Sequence, residues 1–272
     1  MELKSLLETA IEASVNAGKE ILDVYSQPIT VEMKDDKSPL TMADRRAHLK
    51  IVEHLNATGL NILSEEGKHT EYEVRSAWEY YWLVDPLDGT KEFIKRNGEF
   101  TVNIALIHEG RSILGVIFVP VLNQLYFAAQ GIGSYKCENS QGLDELFAGN
   151  NFLESLISQS RKLSATNKPA IFTAVASRSH NTPETAALIE DLRLQHGQVE
   201  LISKGSSLKL CLVAEGAANI YPRLAPTMEW DTAAGQAIAE IAGFTVIDYH
   251  TKAPMQYNKV NLLNPWFVVS AS

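Results

Sequence analysis

Positive charge is in deficit in this 272-residue chain, with 24 Lys and Arg against 33 Asp and Glu and a net charge of −9. A nucleic-acid polymer is therefore an unfavourable partner, because no basic stripe offsets phosphate repulsion. A small anion stays open as a substrate if cations supply the opposite charge locally. Cysteine is scarce too. Cys137 and Cys211 stand far apart without C-x-x-C spacing, which argues against a disulfide framework and predicts reduced thiols in a cytoplasmic protein. No apolar run approaches the ~20 residues of a membrane-spanning helix; the longest, Ile113 to Leu122, is interrupted by Gly115 and Pro120. Met1-Glu2-Leu3-Lys4-Ser5 lacks the basic start and apolar core of a signal peptide, so none is expected. The chain also lacks a G-x-x-x-x-G-K-[ST] loop and the alternating acids of an EF-hand. It shows no internal repeat and no low-complexity tract.

What is present is acid in a particular place. Leu83-Val84-Asp85-Pro86-Leu87-Asp88-Gly89-Thr90 puts two carboxylates three residues apart after an apolar strand, with a hydroxyl two residues further on. The sequence predicts a tight turn here. Short acids at fixed separation beside exposed carbonyls are the oxygen-only ligation that hard divalent cations such as Mg²⁺ require. Asp-Pro and Asp-Gly are also ordinary turn formers, so other clusters matter: Ser64-Glu65-Glu66-Gly67 upstream and Glu229-Trp230-Asp231-Thr232 downstream.

Apolar residues at helical spacing predict helices over 3–25 and from Met42 to Leu55, the first stopped by Pro28 and the second capped by Thr41 with Asp44 in its first turn. Short strands are expected at 61–63 and 80–84, and an antiparallel meander of three strands from Phe100 to Tyr135. Residues 138–168 are polar and weakly patterned, with a short helix around Phe152 to Ser158. Beyond them strands at 171–176, 199–203, 218–221, 244–247 and 267–270 alternate with helices at 183–195, 206–215 and 232–242. The expected organisation is an α+β metal-binding unit at 1–137, a linker or insertion at 138–168 and a layered α/β unit at 169–272.

Each candidate has a plain structural reading beside the functional one. Glu65 is one of an exposed acid pair; beside the Asp pair it becomes a ligand candidate, since converging carboxylates repel and protonate unless cations intervene. Asp44 sits in a capping-box pattern, and Asp231 reads as the N-cap of a helix whose start would suit a phosphate. Ser206 and Lys209 open another helix after Gly205, and His180 and Arg223 lie in or near loops.

Together these segments resemble the Mg²⁺-dependent, lithium-sensitive phosphatase superfamily that includes inositol monophosphatase. Its pattern of D-P-[LI]-D-G-T after an upstream Glu-Glu, completed by a distant W-D-x-A-[AG], is matched by Asp85 to Thr90, Glu65-Glu66 and Trp230 to Ala234. Tyr81 to Ile107, Ser177 to His180, Gly205 to Lys209 and Tyr221 to Gly235 are most similar to the bacterial 3′(2′),5′-bisphosphate nucleotidases of the CysQ type. Inositol monophosphatases have D-G-T-x-N-F where this chain reads Asp88-Gly89-Thr90-Lys91-Glu92-Phe93.

The resemblance implies an αβαβα sandwich of the sugar-phosphatase kind and two or three Mg²⁺ per site. One Mg²⁺ falls to Glu65, Asp85 and the Leu87 carbonyl, another to Asp85, Asp88 and Asp231. It implies that Glu65 and Thr90 activate water, that Asp44 orients Thr90, and that phosphate lies against Leu87, Asp88, Gly89 and Thr90. His180, Ser206, Lys209 and Arg223 would contact the nucleotide. The implied substrates are adenosine 3′,5′-bisphosphate (PAP) and its sulfated form PAPS, in sulfur assimilation. The implied state is a monomer or weak homodimer, cytoplasmic, with room for peripheral association at the inner face of the inner membrane. Two rivals are an inositol or sugar monophosphatase of the same superfamily and a non-catalytic nucleotide sensor.

Overall fold

Residues 80–84 and 101–107 carry apolar side chains at nearly every position, which suits a strand only when both its faces are covered. The computed structural model covers them on both faces. It describes residues 2–26, 31–33, 39–138, 143, 147, 151–176 and 182–271, with the backbone alone at 31–33 and 39–41. Pro28, expected to stop the first helix, lies outside the described residues.

The first half contains α1 (Leu3–Tyr25), β1 (Val31–Met33), β2 (Pro39–Thr41), α2 (Met42–Leu55), β3 (Asn61–Ser64), α3 (Tyr72–Arg75), β4 (Tyr80–Asp88) and α4 (Thr90–Ile94). Four antiparallel strands follow: β5 (Thr101–His108), β6 (Arg111–Val119), β7 (Gln124–Ala129) and β8 (Gly133–Cys137). Then come α5 (Phe152–Ser158), β9 (Arg161–Lys162), β10 (Phe172–Val175), α6 (Pro183–His196) and β11 (Val199–Ile202). The last are α7 (Leu208–Ala214), β12 (Ile220–Arg223), α8 (Glu229–Ile241), β13 (Phe244–Asp248) and β14 (Phe267–Ala271).

Two sheets result. A seven-stranded sheet runs β3-β4-β5-β6-β7-β8-β9, antiparallel except for β3 against β4. A five-stranded sheet runs β11-β10-β12-β14-β13, parallel where β10 meets β11 and β12. Side chains alternate across β4: Trp82 and Val84 pack under α1 and α2, whereas Tyr81 and Leu83 face α7 and α8. On its other side the α7–α8 layer meets Tyr221, Val246 and Phe267 of the second sheet, and α6 covers Ala174 with Ile189 and Leu192. The order is helix, sheet, helix, sheet, helix, the expected αβαβα sandwich. Among the described residues no helix is long and apolar enough to cross a membrane.

The middle layer is thin because α8 is built from small residues. Ala233, Ala234, Ala237 and Ala239 are fully or nearly fully buried. A Cβ on Gly115 of β6 would lie 2.3 Å from the Ala234 carbonyl oxygen. The Ser112 and Ser134 hydroxyls donate to the carbonyls of Ala233 and Ile238, at 2.8 and 2.9 Å, fixing the helix on the sheet.

Three expectations change. The meander has four strands rather than three, because Gly131 and Gly133, at φ of 78° and 119°, make a reverse turn that reads as part of an apolar run. The turn expected after Val84 is a bulge: β4 runs on to Asp88, with Asp85 opposite Asn103 and Asp88 opposite Thr101. Pro86 falls inside it, where its missing N–H costs no ladder bond, and the true turn comes at Gly89 with φ of 95°. Helix α8 starts at Glu229 rather than Thr232, which makes Asp231 its third residue instead of its N-cap.

Candidate active site

The bulge decides which way the acids point. Paired residues on adjacent strands share a face, and Thr101 and Asn103, two apart, lie on the same one. Their partners Asp88 and Asp85 are three apart, and the extra residue puts both acids on that face as well. Glu65 joins from the end of β3, its N–H donating to the Val84 carbonyl at 3.1 Å. Asp231 comes from the opposite side on α8, with Oδ2 accepting the Met228 N–H at 2.8 Å. One carboxylate oxygen from each of Glu65, Asp85 and Asp231 lies within 4.8 Å of the others.

These carboxylates are strained by one another. Burial, and then the charges of Glu65, Asp88, Asp231 and Asp44, hold the Asp85 carboxyl well above the usual range. Burial and the Asp88 charge push Asp231 up to about 8. Asp88 is raised to about 6 by burial, less than Asp231 because the Lys209 ammonium and the Ser207 N–H oppose the shift. A donor set made only of oxygens, drawn together against its own repulsion, fits a hard divalent cation.

Asp88 stands beside this trio, turned toward the second half of the chain. Its Oδ2 accepts the Ser207 N–H at 2.6 Å and the Asn103 amide at 3.4 Å. The Ser206 hydroxyl lies 2.8 Å from the Asp88 carbonyl and 2.7 Å from that of Glu99. Ser206 holds a positive φ of 51°, and a Cβ on Gly89 would come within 2.1 Å of its Oγ. Loop 204–207 therefore sits directly on the end of β4.

A cleft of about 410 Å³ opens over the acids, lined by Glu65, Asp85, Leu87, Asp88, Gly89, Thr90 and Asp231 among others. A cavity of about 150 Å³ adjoins it, sharing Asp88, Lys91, Glu92 and Asp231. Its walls carry Lys91, Lys204, Lys209 and Arg223, and Tyr221 and Phe267 meet edge-on at 5.8 Å beneath them. Lys209 is buried, which lowers its ammonium to about 8. Two of its three protons go to the Ser206 and Lys204 carbonyls, at 2.7 and 3.2 Å.

The structure thus gathers Glu65, Asp85, Leu87, Asp88, Gly89, Thr90 and Asp231 around one cleft, and Ser206, Lys209 and Arg223 around or beside the next. Asp44 is buried in the first turn of α2, outside the cleft wall but near enough for its charge to reach Asp85. His180 lies outside the described residues. The helix start at α8 offers less to an anion than the sequence suggests, since the Glu229 and Asp231 N–H groups already donate to Leu262 and Met228 carbonyls. Lys91, Lys204, Thr101 and Asn103 escaped sequence reasoning. Lys204, next to Gly205 at the mouth of a helix, carried a readable signal, whereas Asn103 was hidden in an apolar strand.

The inositol monophosphatase family model matches residues 2–271. The chain belongs to the inositol monophosphatase family. This is a family of metal-dependent phosphatases, and an acidic cluster of Glu65, Asp85 and Asp231 is present in this chain. The chain is 44% identical over 270 residues to the 3′(2′),5′-bisphosphate nucleotidase CysQ of Shigella flexneri, covering 97% of this chain and 99% of that one. The corresponding protein of Escherichia coli K12 is 43% identical with the same coverage. The crystal structure of CysQ from Bacteroides thetaiotaomicron, described as a bacterial member of the inositol monophosphatase family, is 54% identical. It superposes with a TM-score of 0.90 over 98% of this chain and 97% of that one. An inositol monophosphatase from Anabaena shares the family fold, with a TM-score of 0.70 at 24% identity over 99% of this chain and 92% of that one.

Proposed function

We propose that this chain is a Mg²⁺-dependent 3′(2′),5′-bisphosphate nucleotidase that removes the 3′-phosphate of PAP, yielding AMP and inorganic phosphate. PAPS is a second substrate on this reading, giving adenosine 5′-phosphosulfate, and the role is in sulfur assimilation. The observation that carries the proposal is the acidic cleft opening into a cavity walled by four cationic side chains. A substrate with two separated anionic groups meets a cation site at one end and fixed positive charge at the other. The near full-length likeness to nucleotidases supports the same reading.

Two or three Mg²⁺ are proposed, one held by Glu65, Asp85 and the Leu87 carbonyl and one by Asp85, Asp88 and Asp231. Bound there, such ions would supply a lower pKa for a nearby water and positive charge against the phosphate and the departing ribose oxygen. Glu65 and the Thr90 hydroxyl orient the attacking water, and Asp44 orients Thr90. Gly89 and Thr90 receive the scissile phosphate at the start of α4. Across Asp88, Arg223 and the remaining proton of Lys209 hold the second phosphate, with Ser206 beside them; His180 is assigned to the nucleotide by the resemblance alone. Tyr221 and Phe267 give the nucleoside an apolar floor. In-line displacement then needs no phosphoenzyme.

A phosphate-release assay on PAP and on inositol monophosphate, each with and without Mg²⁺ and Li⁺, tests this directly. Mg²⁺-dependent, Li⁺-inhibited release from PAP is expected; a preference for inositol monophosphate overturns the nucleotide assignment. Arg223→Ala is expected to raise KM for PAP by roughly 10-fold or more, the worth of a charged hydrogen bond. Its effect on p-nitrophenyl phosphate, which has no second anion, should be small. Equal losses on both esters would remove Arg223 from the nucleotide site.

A further inference from the structure

Strand β5 contributes two members, Thr101 and Asn103, of a polar trio that the reaction described above does not use. Thr101 and Asn103 are 0% and 1% exposed, in a strand whose other inner residues are apolar, and Ser207 at 2% closes on them from loop 204–207. Buried polar groups left unbonded are costly, and an apolar residue of similar shape avoids that cost. The bonds among the three are complete and specify a direction. The Thr101 and Ser207 hydroxyls lie 3.0 and 2.8 Å from Asn103 Oδ1 and 2.8 Å from each other.

Two hydroxyl protons serve those three contacts. Either both hydroxyls donate to the amide oxygen, or one donates to the other, which donates to the amide oxygen. In both arrangements Oδ1 accepts, so the Asn103 NH₂ is turned toward the Asp88 carboxylate, which can only accept. The same bonds seat Ser207, whose main-chain N–H makes the 2.6 Å contact to Asp88 Oδ2. Loop 204–207 is fastened further by the Gly205 N–H on Glu99 Oε2 at 2.8 Å and by the Lys209 ammonium on the Ser206 carbonyl.

We propose that Thr101 and Asn103 are positioning residues: with Ser207 they hold one oxygen of Asp88, and so tie cation binding at Asp88 to the seating of the loop that walls the second cavity. The proposal rests on the assignment of Asp88 as a cation ligand. Binding free energies are reciprocal, so a nucleotide that settles loop 204–207 strengthens cation binding, and the cation strengthens nucleotide binding by the same factor. Partners that orient ligands of a metal are commonly worth 10–100-fold in affinity.

The test uses the full chain, with Mn²⁺ as a paramagnetic probe titrated by electron paramagnetic resonance, alone and with AMP. Asn103→Leu is expected to weaken Mn²⁺ binding by roughly 10-fold or more and to remove the tightening by AMP. Thr101→Val, which keeps shape and loses the hydroxyl, is expected to weaken both in the same direction. Thr101→Ser, which keeps the hydroxyl, should bind like the parent. A merely structural cluster would lower the melting temperature of these variants while leaving Mn²⁺ affinity and its AMP dependence unchanged, which would overturn the proposal. Asp88→Asn is the control. If it binds Mn²⁺ like the parent, the ligand assignment fails and the inference with it; if it alone loses binding while Thr101→Val does not, only the inference fails.

Discussion

Asp85→Asn is expected to abolish Mg²⁺-dependent phosphate release while raising the melting temperature of the protein kept free of divalent cations. Asp85 is 1% exposed and surrounded by four other carboxylates whose charges, after burial itself, oppose its ionisation. It is also the residue assigned to both cations. Losing the charge stabilisation that a bound cation gives the transferring phosphate, several kcal/mol, slows turnover by on the order of 10³-fold. The amide removes an ionisable group from the cluster, with little change in shape, and relieves the mutual repulsion that no cation offsets when chelator is present. Each kcal/mol regained is worth roughly 2–4 °C. Phosphate release on PAP and thermal unfolding by circular dichroism in EDTA measure the two halves. A variant that melts lower than the parent in EDTA would mean that the Asp85 carboxylate stabilises the fold rather than straining it.

The second large effect is a pH dependence that cations reverse. An unfolded Asp titrates near ~3.9, whereas in the folded protein Asp88 is raised to about 6 and Asp231 to about 8. Between those values the folded state keeps protons that the unfolded chain releases, so folding is favoured at low pH and loses stability as pH rises. The contribution is fully present below ~3.9 and lost as pH passes through about 6 and about 8. Lys209, lowered to about 8, is still largely protonated through most of this window and does not offset the loss. A divalent cation takes the place of the missing protons. Added Mg²⁺ should therefore raise the melting temperature little near pH 5 and strongly near pH 8. Melting curves across that range, in EDTA and in Mg²⁺, decide it; an equal gain from Mg²⁺ at both ends would refute the coupling of these carboxylates to the cation.

Much of the fold could be read from periodicity alone. The bounds of α1 and α2 emerged intact because apolar residues at Leu7, Ile11, Ile21, Ile51 and Leu55 recur at the helical spacing and are all buried. The bulge was not readable, since Asp-Pro and Asp-Gly favour a turn and a bulge alike and only pairing with β5 distinguishes them. The start of α8 was misplaced because an acid before small residues looks like a cap. Asp231 instead reaches back from the third position to the Met228 N–H. Glu65 and Asp231 were readable because they sit just past the end of β3 and in the first turn of α8, where local rules apply. Asp85 was readable because its Asp-Pro-Leu-Asp-Gly-Thr context is distinctive whether it forms a turn or a bulge. Asn103 was not, since its significance depends on Thr101, Ser207 and Asp88 together, and Ser207 is more than a hundred residues away.

Gly115 carries no functional group and lies outside both cavities, yet it acts as the gauge for the carboxylates. It sets how deeply α8 beds onto the seven-stranded sheet. A helix is stiff along its axis, so displacement in its second turn is transmitted to its first, where Asp231 sits. One methyl group at position 115, with its carbon 2.3 Å from the Ala234 oxygen, forces the helix outward by on the order of 1 Å to reach ordinary contact distance. On the proposed assignment of Asp85 and Asp231 to one Mg²⁺, which binds oxygen within a narrow range at ~2.0–2.1 Å, the gap between them has little tolerance. The spacing of the acids is thus calibrated by the absence of a side chain on a neighbouring strand.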